Sequence, residues 1–322
     1  DLNSLTELPE THSWFPAAAA VDDDVGFTQN VPVVDLNHEN AARLVGHACT
    51  TWGVFQLVNH PVPRRLTDEI ESAADRLFSL PMQRKLRAAR GPDAISGYGT
   101  ARISRFFPKR MWSEGFTVWG SPRDNAQLLW PNDHHRFCET IEKYERAMKN
   151  LAGELMRLML GGMGVRREAK WGSGSEPGSA LQLNCYPPCP DPDRAMGLAA
   201  HTDSTLLTIL HQSGGACGLQ VLRGDRWVTM PPIPGALVVH VGDLMHILSN
   251  GLYPSVLHRA VVNRNRRRVS VAYLYGPPAN VKIGPLDELI DERHPALYRE
   301  VSWKEYLGTK AQHFDKALSS VR

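Results

Sequence analysis

At about residue 180 the chain changes character. Beyond it, short apolar segments alternate with Gly, Pro and Asp turns, the pattern an all-β barrel requires. Eight segments read as strands: 180–186, 197–201, 205–211, 218–222, 226–230, 236–241, 256–262 and 268–275. Two sheets closed into a double-stranded β-helix accommodate that number. The expected fold class is therefore α+β with a mainly β core, a jelly-roll or cupin-like barrel with supporting helices.

Upstream, helical spacing dominates. Asn37 is read as the N-cap of a helix ending near Trp52-Gly53. A second helix runs from Pro63 to Phe78, with Leu66, Ile70, Ala73, Ala74 and Leu77 on one face. The longest extends from Asp133 to Gly161, and its Ile141, Tyr144, Met148, Leu151, Leu155 and Leu158 form a buried stripe rather than a cofactor box. Strands are expected at 31–36 (an edge strand, because of Pro32), 54–58 and 112–118. A Gly/Ser/Pro linker over 171–179 is the best boundary. It separates a helix-rich region, 1–170, from a catalytic β-helix region with its C-terminal tail, 171–322. Residues 1–30, with the Ala17 to Ala20 run and Asp22-Asp23-Asp24, read as an extended arm.

One constellation inside the β region carries chemistry. His201 and Asp203 lie two apart, so on a strand both point to one face. His258 would join them if a later strand lies beside the first. Two neutral imidazoles and a carboxylate suit a divalent metal such as Fe(II) and leave coordination positions open. Arg268 and Ser270 share a face ten residues on, and a guanidinium fork with a hydroxyl receives a carboxylate well. The Arg-x-Ser/Thr pattern also occurs at Arg102-Ile103-Ser104 and Arg65-Leu66-Thr67, so position after His258 is what singles out Arg268. Each histidine taken alone reads as a core or surface residue.

The sequence resembles the plant 2-oxoglutarate- and Fe(II)-dependent dioxygenases. The marks are Asn184-Cys185-Tyr186-Pro187-Pro188-Cys189-Pro190, the His201/Asp203/His258 triad, Arg268-Val269-Ser270, Gly218-Leu219-Gln220-Val221, Val241-Gly242-Asp243 and Ser249-Asn250-Gly251. The resemblance covers essentially the whole chain from Val31 to about Tyr306. Within that family the resemblance runs to the gibberellin 3-oxidases, through Ser96-Gly97-Tyr98-Gly99, Phe106-Phe107-Pro108-Lys109, Met111-Trp112-Ser113-Glu114-Gly115-Phe116 and Tyr306-Leu307-Gly308-Thr309-Lys310. It implies Fe(II), 2-oxoglutarate as cosubstrate, O2, a gibberellin as substrate and ascorbate as auxiliary reductant. It also implies 3-beta hydroxylation, with succinate and CO2 as co-products. Tyr186 and Asn184 would hydrogen-bond the cosubstrate, Arg268 and Ser270 would take its far carboxylate, and Gln182 and Leu274 would line the substrate wall. His47 and His60 would be structural.

A gibberellin is an apolar cage with a carboxylate, so one cation or donor set is expected to fix it. Tyr98 and Arg102, four residues apart beside the active-site mouth that the family implies, are the candidates if that turn is helical. The bland alternative makes Arg102 a surface cation and Tyr98 a packing residue.

Composition excludes little but is consistent. A net charge of +2 gives no bulk attraction to nucleic acid or anionic membrane, and the Arg264, Arg266, Arg267, Arg268 cluster reads as a cationic turn. No apolar run approaches a membrane span. Five cysteines do not form a disulfide framework, and Cys185 and Cys189 lack a second pair for a zinc site. The Asp1 start shows no signal-peptide pattern, and a cytoplasmic monomer acting on a small molecule is expected. Three alternatives remain open here: a sister gibberellin 2- or 20-oxidase or flavonoid oxygenase, a binding module without turnover, and a nucleic-acid demethylase.

Overall fold

The computed structural model describes residues 2–16, 31–92, 94–165, 178–213 and 217–322. The Ala17 to Ala20 run, the Asp22-Asp23-Asp24 run and residues 171–177 of the expected linker lie outside these residues.

In chain order the first elements are β1 (Val33–Asp35), α1 (Ala41–Thr51), β2 (Val54–Val58), α2 (Arg64–Phe78), α3 (Met82–Lys85), β3 (Gly97–Gly99) and β4 (Glu114–Val118). Next come α4 (Arg123–Leu129), α5 (His134–Gly162), β5 (Gly178–Tyr186), β6 (Leu198–His201), β7 (Leu207–Gln212), β8 (Leu219–Arg223) and β9 (Arg226–Thr229). The chain finishes with β10 (Leu237–Val241), α6 (Asp243–Leu248), β11 (His258–Ala260), β12 (Arg268–Gly276), β13 (Lys282–Ile283), β14 (Val301–Ser302) and α7 (Trp303–His313). Each of the eight strands expected after residue 180 is present. Asn37 is not a cap: its amide donates to Asp35 Oδ1 in a local turn, which delays the helix until Ala41, and Asn40 precedes it. The short helices α4 and α6 were not foreseen, because six or seven residues show too little periodicity.

The main sheet has the order β1-β2-β10-β7-β12-β5-β4-β3 and the minor sheet β6-β11-β8-β9. Alternation along β12 sorts its two faces. Val269, Val271, Tyr273 and Tyr275 pack with Ile141, Tyr144, Leu151 and Leu155 of α5 in the larger core. Ala272 points the other way and joins Val54, Leu210 and Val238 against Leu219, Val221 and Val228 of the minor sheet. The second core is the sandwich interior. Residues two apart on a strand share a face, so Arg268, Ser270 and Leu274 also face that interior.

Helix α1 crosses the end of α5 where two glycines touch. A Cβ on Gly46 would lie 2.9 Å from Gly162 Cα, with no flexible group to yield. Gly153, mid-way along α5, has open space around its missing Cβ. The two positions predict opposite signs. Gly46→Val should lower stability by about 1–3 kcal/mol through overpacking. Gly153→Ala should raise it by about 0.5–1 kcal/mol through backbone entropy. Denaturant midpoints decide; an unchanged midpoint for Gly46→Val would mean the helices are not in this close contact.

Candidate metal centre and cosubstrate pocket

The minor sheet builds two thirds of the metal face. His201 ends β6 and His258 begins β11, and the two are register partners across that antiparallel pair. Their rings stand 4.3 Å apart between centroids. Asp203 follows in the turn out of β6, with Oδ1 3.8 Å from His201 Nε2 and 3.9 Å from His258 Nε2. One ligand atom from each of the three lies within 4.8 Å of the others.

The tautomers are set by the backbone. His201 Nδ1 donates to the Ala199 carbonyl at 2.8 Å, and His258 Nδ1 to the Val256 carbonyl at 3.2 Å. A carbonyl only accepts, so each Nδ1 keeps the proton and each Nε2 presents its lone pair to the centre. Burial lowers the pKa of both imidazoles, that of His258 strongly, which keeps them neutral. Burial acts to raise the Asp203 carboxyl, and charge on the surrounding imidazoles (His258 first, then His201 and His240) acts to lower it. The net result lies below the usual carboxylate range, so this group rather than either ligand histidine carries the charge of the site. One anion and two neutral nitrogens at this spacing fit a divalent first-row ion.

A third histidine at the site was missed by sequence reasoning. His240 is 2% exposed, and neither ring nitrogen has a hydrogen-bond partner among the described residues. Its Nδ1 is 3.7 Å from Asp203 Oδ2, and its ring is 4.5 Å from that of His258. The available signal was a lone polar side chain in the apolar strand Val238-Val239-His240-Val241.

The turn that carries Asp203 is anchored from the C-terminus. Thr202 Oγ1 donates to Asp243 Oδ2 at 3.1 Å, and Tyr306 donates to the same oxygen at 2.8 Å. Lys310 Nζ, on α7, pairs with Asp243 and with Thr202. The Asp243 amide donates to the Asp203 carbonyl at 2.8 Å. Helix α7 is itself set by a capping box between Ser302 and Glu305.

Arg268 opens β12 opposite Tyr186 and is 2% exposed. Its Nη2 donates to Gln212 Oε1 at 2.7 Å, while Nε and Nη1 have no partner among the described residues. Its guanidinium carbon sits 5.0 Å from the Tyr186 ring centre. Burial lowers its pKa, as expected for a buried cation without an anion. Ser270, two residues on, pairs in register with Asn184 and Gln212. Two orphaned donors beside a hydroxyl and a phenol fit a carboxylate of 2-oxoglutarate.

The structure thus brings His201, Asp203 and His258 together, and places Arg268, Ser270, Tyr186 and Asn184 on one face. Gln182 and Leu274 lie on the same interior face of β5 and β12. The Tyr98 and Arg102 pair is not formed. Residues 97–99 are strand, so the i, i+4 argument does not apply. Tyr98 pairs in register with Phe116 and points away from the interior, into the helix-side core. Its hydroxyl donates to Glu114 Oε2 at 2.7 Å, an oxygen that buried Lys85 also holds. Arg102 is exposed and donates to the Ala94 carbonyl at 2.6 Å.

Two family patterns match the chain: the 2OG-Fe(II) oxygenase superfamily over residues 177–277, and the N-terminal region of non-haem dioxygenases in morphine synthesis over 31–136. The chain is 56% identical to gibberellin 3-beta-dioxygenase 1 of Pisum sativum, over 100% of this chain and 89% of that protein. The chain belongs to the 2-oxoglutarate- and Fe(II)-dependent dioxygenases.

A second relative, gibberellin 3-beta-dioxygenase 1 of Arabidopsis thaliana, is 53% identical over 100% of this chain and 92% of that protein. Among solved structures, JOX2 in complex with 2OG, Fe and JA superposes with a TM-score of 0.82 at 32% identity, covering 94% of this chain and 89% of JOX2. The rice dioxygenase for auxin oxidation gives 0.75 at 28%, covering 90% and 99%. This dioxygenase therefore uses Fe(II) and 2-oxoglutarate on a double-stranded β-helix, and its His-Asp-His face meets the donor set that family needs. Among the described residues no helix is long and apolar enough to cross a membrane.

Proposed function

We propose that this dioxygenase hydroxylates a gibberellin at the 3-beta position to give the bioactive hormone. Full-length identity of 56% to a gibberellin 3-beta-dioxygenase, with metal and cosubstrate donors in place, carries that reading. Bound Fe(II), with 2-oxoglutarate and O2, supplies the oxidation that replaces a C–H hydrogen by hydroxyl, yielding succinate and CO2. The chain's own residues set the stage. His201 and His258 through Nε2, and Asp203 through its carboxylate, hold the ion. Arg268 and Ser270 receive the far carboxylate of the cosubstrate, with Tyr186 and Asn184 beside it. The sandwich core of Val54, Leu210, Val238 and Ala272 keeps water from the interior. Gln182 and Leu274 wall the substrate, and the carbon the pocket holds over the ion decides regiochemistry.

Region 171–322 carries catalysis in this reading, and region 1–170 supplies helices and the added strands β1 to β4. The enzyme acts as a cytoplasmic monomer, with ascorbate as auxiliary reductant. The test is anaerobic loading with Fe(II), 2-oxoglutarate and a panel of gibberellins, then admission of O2 and product location by mass spectrometry. A 3-beta alcohol formed with one succinate per turnover is expected. Hydroxylation only at carbon 2 or 20, or of a flavonoid instead, would move the chain to a sister activity.

A further inference from the structure

Two guanidinium groups, those of Arg90 and Arg102, stand near each other at the β3 edge of the main sheet, with no acidic partner among the described residues. Arg90 Nη1 donates to Thr117 Oγ1 at 3.2 Å, and its Nη2 to the Thr100 carbonyl. Arg102 donates to the Ala94 carbonyl. All three acceptors are neutral, and among the described residues neither arginine makes an ion pair with a carboxylate. Burial lowers the pKa of Arg90, and the Arg102 charge lowers it further. A guanidinium has five N–H donors, so two bonds leave Arg90 with spare capacity.

Arg90 lies on the interior side of the sheet. Thr117 pairs in register with Gln182, and its hydroxyl donates to Gln182 Oε1 at 2.6 Å. Gln182 Nε2 donates to Asn184 Oδ1 at 3.0 Å, and Asn184 is the register partner of Ser270. A polar ladder thus runs from Arg90 to the cosubstrate residues. Two glycines make room for it. A Cβ on Gly115 would lie 2.9 Å from Gln182 Nε2, and one on Gly99 would lie 3.3 Å from Arg90 Nη2. An apolar cluster joins the Arg102 turn to β6: Ala101, Ile103 and Phe107 pack with Met111, Met196 and Ala199, two residues before His201. Cation, hydrocarbon surface and metal face in that order suit a rigid apolar acid oxidised far from its carboxylate.

We propose that Arg90, oriented by Thr117, binds the carboxylate of the substrate acid. This rests on the gibberellin reading above. Arg102 stands at the exposed rim and adds long-range attraction, while Thr117 and Gln182 are positioning residues.

The probe is a gibberellin lacking the 3-hydroxyl, as free acid and as methyl ester, offered to the Fe(II)- and 2-oxoglutarate-loaded enzyme. Wild type should prefer the acid in kcat/KM by about 10- to 100-fold, the worth of a charge-assisted hydrogen bond. Arg90→Gln should reduce that ratio to a few-fold at most, mainly by raising KM for the acid. Arg90→Lys should recover part of the ratio, and Arg102→Gln should lower it less than Arg90→Gln. Because acid and ester are compared on the same protein, a folding defect lowers both and leaves the ratio. The assignment is overturned if Arg90→Gln keeps the wild-type ratio, or if wild type takes ester and acid equally. If wild type hydroxylates no gibberellin, the function proposed above fails and takes this assignment with it.

Discussion

Asp203→Ala should lose turnover by more than about 100-fold, because removing an outer-shell partner of a ligand already costs 10- to 100-fold and a ligand counts for more. His201→Ala and His258→Ala should behave alike. The carboxylate is the only anion of the three ligands, and its Oδ1 lies under 4 Å from both Nε2 atoms. Without it, two neutral imidazoles face a dication in a buried site, which is too weak a set to retain Fe(II). The metal-free fold should survive. Asp203 is held by its backbone, through the Asp243 amide, a contact that the substitution leaves in place. Two measurements check this. Mn(II), an oxygen-inert stand-in, should raise the melting temperature of wild type, since saturation at 100 times Kd stabilises by about 2.7 kcal/mol. It should leave Asp203→Ala unmoved. Succinate release at saturating iron should be undetectable, and near-wild-type release would remove Asp203 from the metal face.

Arg268 should separate cosubstrate from substrate. Arg268→Lys keeps the charge but exchanges a planar fork for a point donor. The apparent KM for 2-oxoglutarate should rise by about 10- to 100-fold, the value of one or two hydrogen bonds to a charged group. The KM for the prime substrate should move far less. A second variant gives the opposite sign on stability. The wild-type guanidinium is 2% exposed with Nε and Nη1 unpartnered. A buried cation without an anion is costly, so Arg268→Met should leave the 2-oxoglutarate-free protein no less stable than wild type. Adding 2-oxoglutarate should then stabilise wild type alone. If Arg102→Lys raised the 2-oxoglutarate KM and Arg268→Lys did not, the cosubstrate carboxylate would lie elsewhere.

Much of the site was legible because it follows strand alternation. Arg268 and Ser270, or Gln182, Asn184 and Tyr186, lie two apart within one strand, so a shared face needs no tertiary knowledge. Spacing alone was less specific than it looks. His313-Phe314-Asp315 repeats the His-x-Asp pattern, yet it lies at the exposed end of α7, and no metal cluster among the described residues includes it. Position beside His258 on paired strands is what distinguishes His201. Tyr98 shows the converse error. Its neighbours in sequence suggested a mouth-lining turn, but a strand at 97–99 sends alternate residues to opposite sides. Gly97 and Gly99 take the interior, and Tyr98 the core.

The succession of strands along the chain and the donor types were already present in the primary structure, since periodicity and ligand preference act over a few residues, while the reaction chemistry was legible there only through resemblance to a family. Folding decided which residues far apart in the chain come to share the site. His240 meets Asp203 only because β10 lies beside β7 in the main sheet. Lys310 reaches Thr202 across 108 positions, once α7 docks. Arg90 reaches Thr117 only when β3 pairs with β4 and places glycines beneath it. Those contacts depend on inter-strand register and helix docking, which are set by packing across the whole sandwich and leave no local signature in the sequence.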